Sequence, residues 1–418
     1  MGIEYFERLG RTIETRWSAV HQNEDRFAEI ALEMLTATPG AKQTSPTEIL
    51  RYASKRGNLG QQLAQTSAFG SPPITMFHSM DGFVIDVYFW FEGTTAIHQH
   101  GFSGAFQVLS GSSLHSTFTF DVEEKVNARF LLGSVCQGHA ETLRVGDTRR
   151  ILSGTRFAHA LFHLDTPSTT IVVRTGDDDG AAPQLEYRAP HIAFDPFNVP
   201  RRRVVSLEAL QALRRMDFTA YAEASCDALA LLPLEESYFL LQGHIDGRRS
   251  PGETDDQLFG ELLDIVRTRH GGAVAGKFEA TLTRRVRGTR IAGLRARSSN
   301  PEHRFLLAVL LNALNRAQVV EFVASRYPKE EPAAKFVALI AEMIATKVGD
   351  SNALGIELSQ EALGALQLVV EGCAPDALPE TLVRRGLASQ EAVDELLDDL
   401  LDFRKMIAQI TLLEPILQ

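Results

Sequence analysis

The apolar positions of this chain change rhythm three times. Between residues 4 and 70 they recur at three- and four-residue spacing, as in YFERLGRTIETRWSAV and NEDRFAEIALEMLTAT. That spacing predicts amphipathic helices. SPTEILRYASKRG continues the pattern, with Ser45 and Glu48 spaced for a capping box. SPP at 71–73 ends it. From Ile74 to Tyr187 the chain turns to short β-branched and aromatic runs: GFVIDVYFWF, AFQVLSG, HSTFTFDVE, ETLRVGD, RRILSG, HALFHLD and TTIVVRT. Gly, Asp, Ser and Pro punctuate them and no helical stretch intervenes, which predicts a sandwich or barrel. RAPHIAFDPFNVPRRR, with three prolines and a basic run, reads as a linker. From Ser206 onward helical spacing returns, with no internal repeat of fixed period.

The expected fold class is therefore α+β. A helical segment (1–73) precedes a central small β-barrel or jelly roll (74–190), a linker (191–205) and a large all-helical region (206–418). One stretch of the helical half stands apart: AGKFEATLTRRVRGTRIAGLRARSS sets many arginines among small and β-branched residues. It reads as a solvated basic face or a short irregular insert, with a phosphate-binding patch as the alternative.

Composition narrows the function. Of 418 residues, 44% are hydrophobic and 23% charged, as in globular rather than disordered chains. The net charge of −11 argues against nucleic acid as the main partner. Cys136, Cys226 and Cys373 lie far apart, which indicates neither a disulfide framework nor a zinc ribbon. The charged, amphipathic first residues carry no apolar core of a signal peptide, and the longest apolar runs are too short to span a membrane. A cytoplasmic protein with no membrane partner is expected.

The candidate chemistry starts in IHQHGFSGAFQVLSG. On a strand, residues two apart share a face, so His98 and His100 project together and Gln99 points away. Neutral imidazole is the commonest protein ligand for first-row transition metals. A second strand in RFAHALFHLD carries His159 and His163, which also share a face. A metal site drawing on both strands is expected. Tyr88 and Trp90 alternate with Phe89 and are candidates to line a pocket. Arg174, in TTIVVRT, is a candidate to clamp a substrate carboxylate, or else an exposed arginine at a strand edge. His115 begins a strand whose interior face the sequence leaves open, and Gln107 has the parity to point out. Cys136, in GSVCQGHAET, reads as an inert loop thiol, with a redox role beside His139 as the alternative.

Two motifs here resemble those of the cupin superfamily. GTTAIHQHGFSGAFQVLSG is similar to the first, through Gly93, His98, His100 and Gly111. The family's usual Glu falls at Gly104. GDTRRILSGTRFAHALFH is similar to the second, through Gly146, Gly154 and His159, with two residues more than usual before the histidine. His163 stands where that motif carries Asn. The resemblance covers roughly residues 74–190 and is closest to cysteine dioxygenase-type thiol dioxygenases. It implies a neutral set of His98, His100 and His159 holding Fe²⁺, with O₂ and a small-molecule or peptide substrate bound through sulfur. Arg174 and Gly176 stand where that family places a His and a Tyr. Catalytic roles are expected for Arg174, Tyr88 and His163. Zn²⁺, Mn²⁺ or Ni²⁺ in a non-redox cupin (an isomerase or hydrolase) is the alternative, and an effector-binding sensor is a third. The C-terminal helices are the expected surface for a second copy or a protein partner.

Overall fold

The computed structural model describes residues 2–63, 70–91, 96–176, 183–248, 253–395, 398, 403, 405, 407 and 410–418. It is an α+β structure in which a closed six-stranded barrel and a five-stranded sheet are flanked by helices on both sides in sequence. The N-terminal helices are α1 (Glu4–Ser18), α2 (Glu24–Ala37) and α3 (Pro46–Ala53). Ser45 caps α3 and Glu48 bonds back to the Ser45 backbone, so the capping box forms as the spacing predicts.

The strands are β1 (Pro73–His78), β2 (Phe83–Trp90), β3 (Ile97–Gln99), β4 (Gly104–Ser110), β5 (Ser113–Asn127), β6 (Phe130–Leu143), β7 (Thr148–Ile151), β8 (Ala158–His163), β9 (Ser168–Thr175), β10 (Glu186–Arg188) and β11 (Ile192–Phe194). The sheet runs β1-β2-β9-β4-β7, and the barrel closes in the order β10-β11-β6-β5-β8-β3. Each barrel strand sends apolar residues to its inside: Tyr187, Ala193, Leu131, Phe118, Ala158, Ala160 and Ile97 form one cluster. By strand alternation His98, His115 and His159 face the other way, from the barrel wall toward the five-stranded sheet. The far side of that sheet packs on the N-terminal helices, where Phe83, Ile85, Val87, Phe89 and Ala105 meet Phe6, Ile13 and Phe27.

Gln107 does point away from the histidines, but it is fully buried under these helices. Its side chain accepts from Gly40 N (2.7 Å) and donates to Leu35 O (2.8 Å), which satisfies both ends of the amide.

The chain continues through α4 (Arg201–Met216), α5 (Phe218–Leu229), α6 (Leu234–Asp246), α7 (Glu253–His270), α8 (Gly272–Arg297), α9 (Pro301–Asn312), α10 (Arg316–Arg326), α11 (Pro332–Ala345) and α12 (Gln360–Glu371), followed by shorter helices. Two of their cores include barrel residues. Leu114, Phe162 and Leu164 join Phe305 and Leu306, while Phe130, Leu132, Ile192 and Phe194 join Tyr238 and Phe278. Among the described residues no helix is long and apolar enough to cross a membrane.

Three expectations change. Residues 191–205 are not simply a linker. Ile192–Phe194 form β11, which pairs with both β6 and β10, and α4 begins at Arg201. A three-residue strand between prolines is too short to show a period. GSVCQGHA is not a loop but part of β6, and Cys136 donates to Asp121 (3.2 Å), which raises its pKa. A raised pKa disfavours the reactive thiolate. The arginine-rich stretch is neither irregular nor fully solvated. It belongs to the 26-residue helix α8, whose Arg287 is 4% exposed and donates to Leu310 O, Thr411 O and Leu412 O.

Candidate metal centre

His98 and His159 are direct cross-strand partners on β3 and β8. His100, one residue past β3, is held by a bridge to Ser153 and by Gly154 N donating to its carbonyl (2.8 Å). This pinning brings all three rings together. One ligand atom from each lies within 4.8 Å of the others. His100 Nε2 and His159 Nε2 are 3.0 Å apart. Two nitrogens at ~2.1 Å from one ion and at right angles to each other would be separated by about 3 Å, so this spacing suits a shared cation. His100 Nδ1 is buried without a hydrogen-bond partner. Among the described residues no Asp or Glu belongs to the group.

The rings are oriented from behind, as ligand histidines usually are. His98 Nδ1 lies 2.8 Å from the Ala96 carbonyl, which selects the Nδ1–H tautomer and leaves Nε2 as a lone pair. His159 Nδ1 lies 3.2 Å from His115 Nε2, and His115 Nδ1 lies 3.0 Å from Glu141 Oε1. Glu141 in turn accepts from Arg149 Nε (2.7 Å) and its Nη2. Burial pushes the Glu141 carboxyl up, but the bonds from Arg149 and His115 outweigh it and hold it down at about 2. A fixed carboxylate thus anchors His115, and His115 anchors His159.

Burial lowers the pKa of all four imidazoles, with His100 and His159 well below the ordinary value. They stand neutral, the form that binds metal. Phe102, Phe106 and Phe157 wall the group: Phe102 is 4.5 Å from the His100 ring, Phe157 4.7 Å and Phe106 5.9 Å from the His159 ring.

Gly104, at the family's Glu position, has no room for any side chain. A Cβ there would sit 2.0 Å from Val173 O and 2.9 Å from Arg174 Cα. The close pairing of β4 with β9 therefore excludes an acidic ligand at this position sterically. Gly93, from the first motif, lies outside the described residues.

Arg174 is not the exposed edge arginine that was one reading of its position. Its Nε donates to Asp86 Oδ2 (2.9 Å), and Asp86 is fully buried and also accepts from Thr75 Oγ1 (2.7 Å). Arg174 Cζ lies 5.2 Å over the Phe102 ring, whose neighbour is His100. Tyr88 reaches the same carboxylate at 3.4 Å and stacks on Trp90. Burial, then the charge of Asp86, push the Tyr88 hydroxyl up to about 12, so it stays protonated.

His163 is not brought to the three histidines. It shares their face of β8 but lies four residues, ~13 Å, further along. Its ring stacks on Trp90 at 4.3 Å, and its Nδ1 contacts Ser168 Oγ (2.7 Å) and Ser113 Oγ (3.1 Å).

The His115–Glu141–Arg149 support carries a prediction. His115→Ala should keep the ligands but loosen His159, weakening metal affinity about 10–100-fold. His163→Ala should leave metal affinity and stoichiometry unchanged. Competition titration against a chromogenic chelator measures both. Equal affinity losses in the two variants would refute the specific role of His115.

Compared with known proteins, the chain matches no family model and no curated protein. The barrel and its buried three-histidine cluster fit a cupin-like metal site.

Proposed function

We propose that this chain is a mononuclear, metal-dependent oxygenase of the cupin type, similar to thiol dioxygenases, acting on a small molecule. The observation that carries the reading is the convergence of three neutral, buried imidazoles from two strands with no carboxylate among them. His98, His100 and His159 would hold Fe²⁺. With only neutral ligands the ion would keep its full charge, attract an anionic donor such as a thiolate, and supply redox chemistry toward O₂.

The remaining residues serve that chemistry directly. Phe102, Phe106 and Phe157 exclude water and keep the imidazoles neutral. Arg174 and Tyr88 are the polar groups for orienting a substrate. Arg174 comes already held by Asp86, so it offers a fixed guanidinium whose charge is largely balanced. Tyr88 holds its proton and donates rather than accepts.

The test is elemental analysis of protein purified without added metal, followed by O₂ uptake after addition of Fe²⁺ and a panel of small thiols. Iron near one equivalent with thiol-dependent O₂ uptake is expected. One equivalent of Zn²⁺, Mn²⁺ or Ni²⁺ and no uptake with Fe²⁺ would replace the oxygenase with Lewis-acid chemistry at the same ligands. Failure of every metal to bind would remove the reading.

A further inference from the structure

A cavity of about 320 Å³ lies between α8 and the barrel strands β3, β5, β8 and β10. Its apolar wall includes Ile97, Leu114, Phe118 and Ala160. The opposite wall is one face of α8, where Thr281, Arg284 and Arg285 are followed by Gly288 and Ala292. These positions recur at helical spacing, and the two small residues leave the space open. The cavity and the histidine centre lie on opposite faces of β3, since Ile97 lines one and His98 belongs to the other.

Some polar groups of this cavity are satisfied by the protein and some are not. Arg285 is paired with Asp246 (2.6 and 2.9 Å), and Arg188 with Glu186. Arg284 is in no ion pair among the described residues; its Nη2 donates to one carbonyl, Ala313 O (2.9 Å). Burial disfavours its charge, and Glu414, the acid whose field it feels, lies 3.5 Å from Arg287 Nε instead. Thr281 is 3% exposed and its Oγ1 has no hydrogen-bond partner among the described residues. Arg188 Nε is likewise buried and unpartnered. A half-buried charge without a counter-ion among the described residues, one buried hydroxyl and one buried guanidinium N–H without partners are costly, and all of them line one cavity.

We propose that this cavity is a binding site for a small amphipathic anion. Its carboxylate or phosphate head pairs with Arg284 and Thr281, and its apolar body lies on Ile97, Leu114 and Phe118. The guanidinium fork suits either oxyanion, and the volume is at the small end of ligand pockets. Binding there requires neither the metal nor any reaction at it, although Ala96 lines the cavity and its carbonyl holds His98 Nδ1.

Calorimetric titration of the full chain, metal-free, tests it with four probes: phenylacetate, phenyl phosphate, 2-phenylethanol and inorganic phosphate. Saturable binding of at least one aromatic anion is expected, and the tighter of the two names the head group. The uncharged alcohol and the bare phosphate should each bind about tenfold or more weaker, because each lacks half of the recognition. Arg284→Met should weaken the anion by a similar factor, and Thr281→Val by several-fold. If Arg284→Met fails to fold, Arg284→Lys takes its place, keeping the charge while losing the fork. No saturable binding of either aromatic anion overturns the proposal. So does binding that is unchanged in both the Arg284 and Thr281 variants.

Discussion

Replacing His98, His100 or His159 by alanine is expected to abolish most metal binding while leaving the barrel folded. Each ring is one of the three proposed ligands among the described residues, so each variant would retain two. Metal at a hundredfold above Kd stabilises a native protein by about 2.7 kcal/mol. The wild-type protein should show that gain in chemical denaturation, and each variant should lose most of it. Far-UV circular dichroism should match the metal-free wild type, because the rings touch mainly Phe102, Phe106 and Phe157 and are not part of the two larger apolar clusters that hold the sheet on the N-terminal helices and fill the barrel. His115 Nε2 lies 3.2 Å from His159 Nδ1, which makes it the nearest replacement for the third ligand. A full equivalent of metal in His159→Ala, lost only when His115 is also removed, would therefore reassign the ligand set.

The second large effect lies at the Asp86–Arg174 pair. Arg174→Leu leaves a fully buried carboxylate whose remaining partners among the described residues are two hydroxyls, Thr75 and Tyr88. Breaking a buried pair in this way costs about 3–5 kcal/mol. Asp86→Leu should cost less, because Arg174 keeps 15% of its side chain in contact with solvent and can shed part of the desolvation penalty. The double variant should be more stable than Arg174→Leu alone, since it leaves no orphaned charge. Urea midpoints of the four proteins, metal-free, close the cycle. Strict additivity would mean that the two side chains do not interact.

The sequence revealed the paired histidines of the candidate site through a local rule. Two residues apart on a strand share a face, and that rule placed His98 with His100 without knowledge of the fold. Tyr88, Trp90 and Arg174 likewise have the parity that puts them toward the site, because β2 and β9 pair without a register shift. His115 was visible as a candidate, but its partner Glu141 was not. Their pairing depends on a hairpin with only Ala128 and Arg129 between the strands, and on three register shifts between β5 and β6. The turn carries no Asn-Gly signal, and each irregularity changes which residues stand opposite. Counting back from the turn therefore does not lead to His115 opposite Glu141. The burial of Arg174 was hidden for a related reason: its counter-ion is 88 residues away in sequence. The face of α8 was obscured because arginines with buried stems interrupt the apolar stripe.

The close approach of β4 to β9 also limits how this centre can be re-engineered. A designer wanting the more common mixed set of imidazoles and one acid cannot install it by mutating Gly104, since even alanine would collide with the Val173 carbonyl. The acid would have to enter from another direction, and Phe106, whose ring already faces His159, is the place to try it. Such a Phe106→Glu protein would lower the charge of the metal site by one while keeping the strand pairing intact. Comparison with the near-isosteric Phe106→Gln protein would separate the effect of charge on substrate choice from the effect of shape.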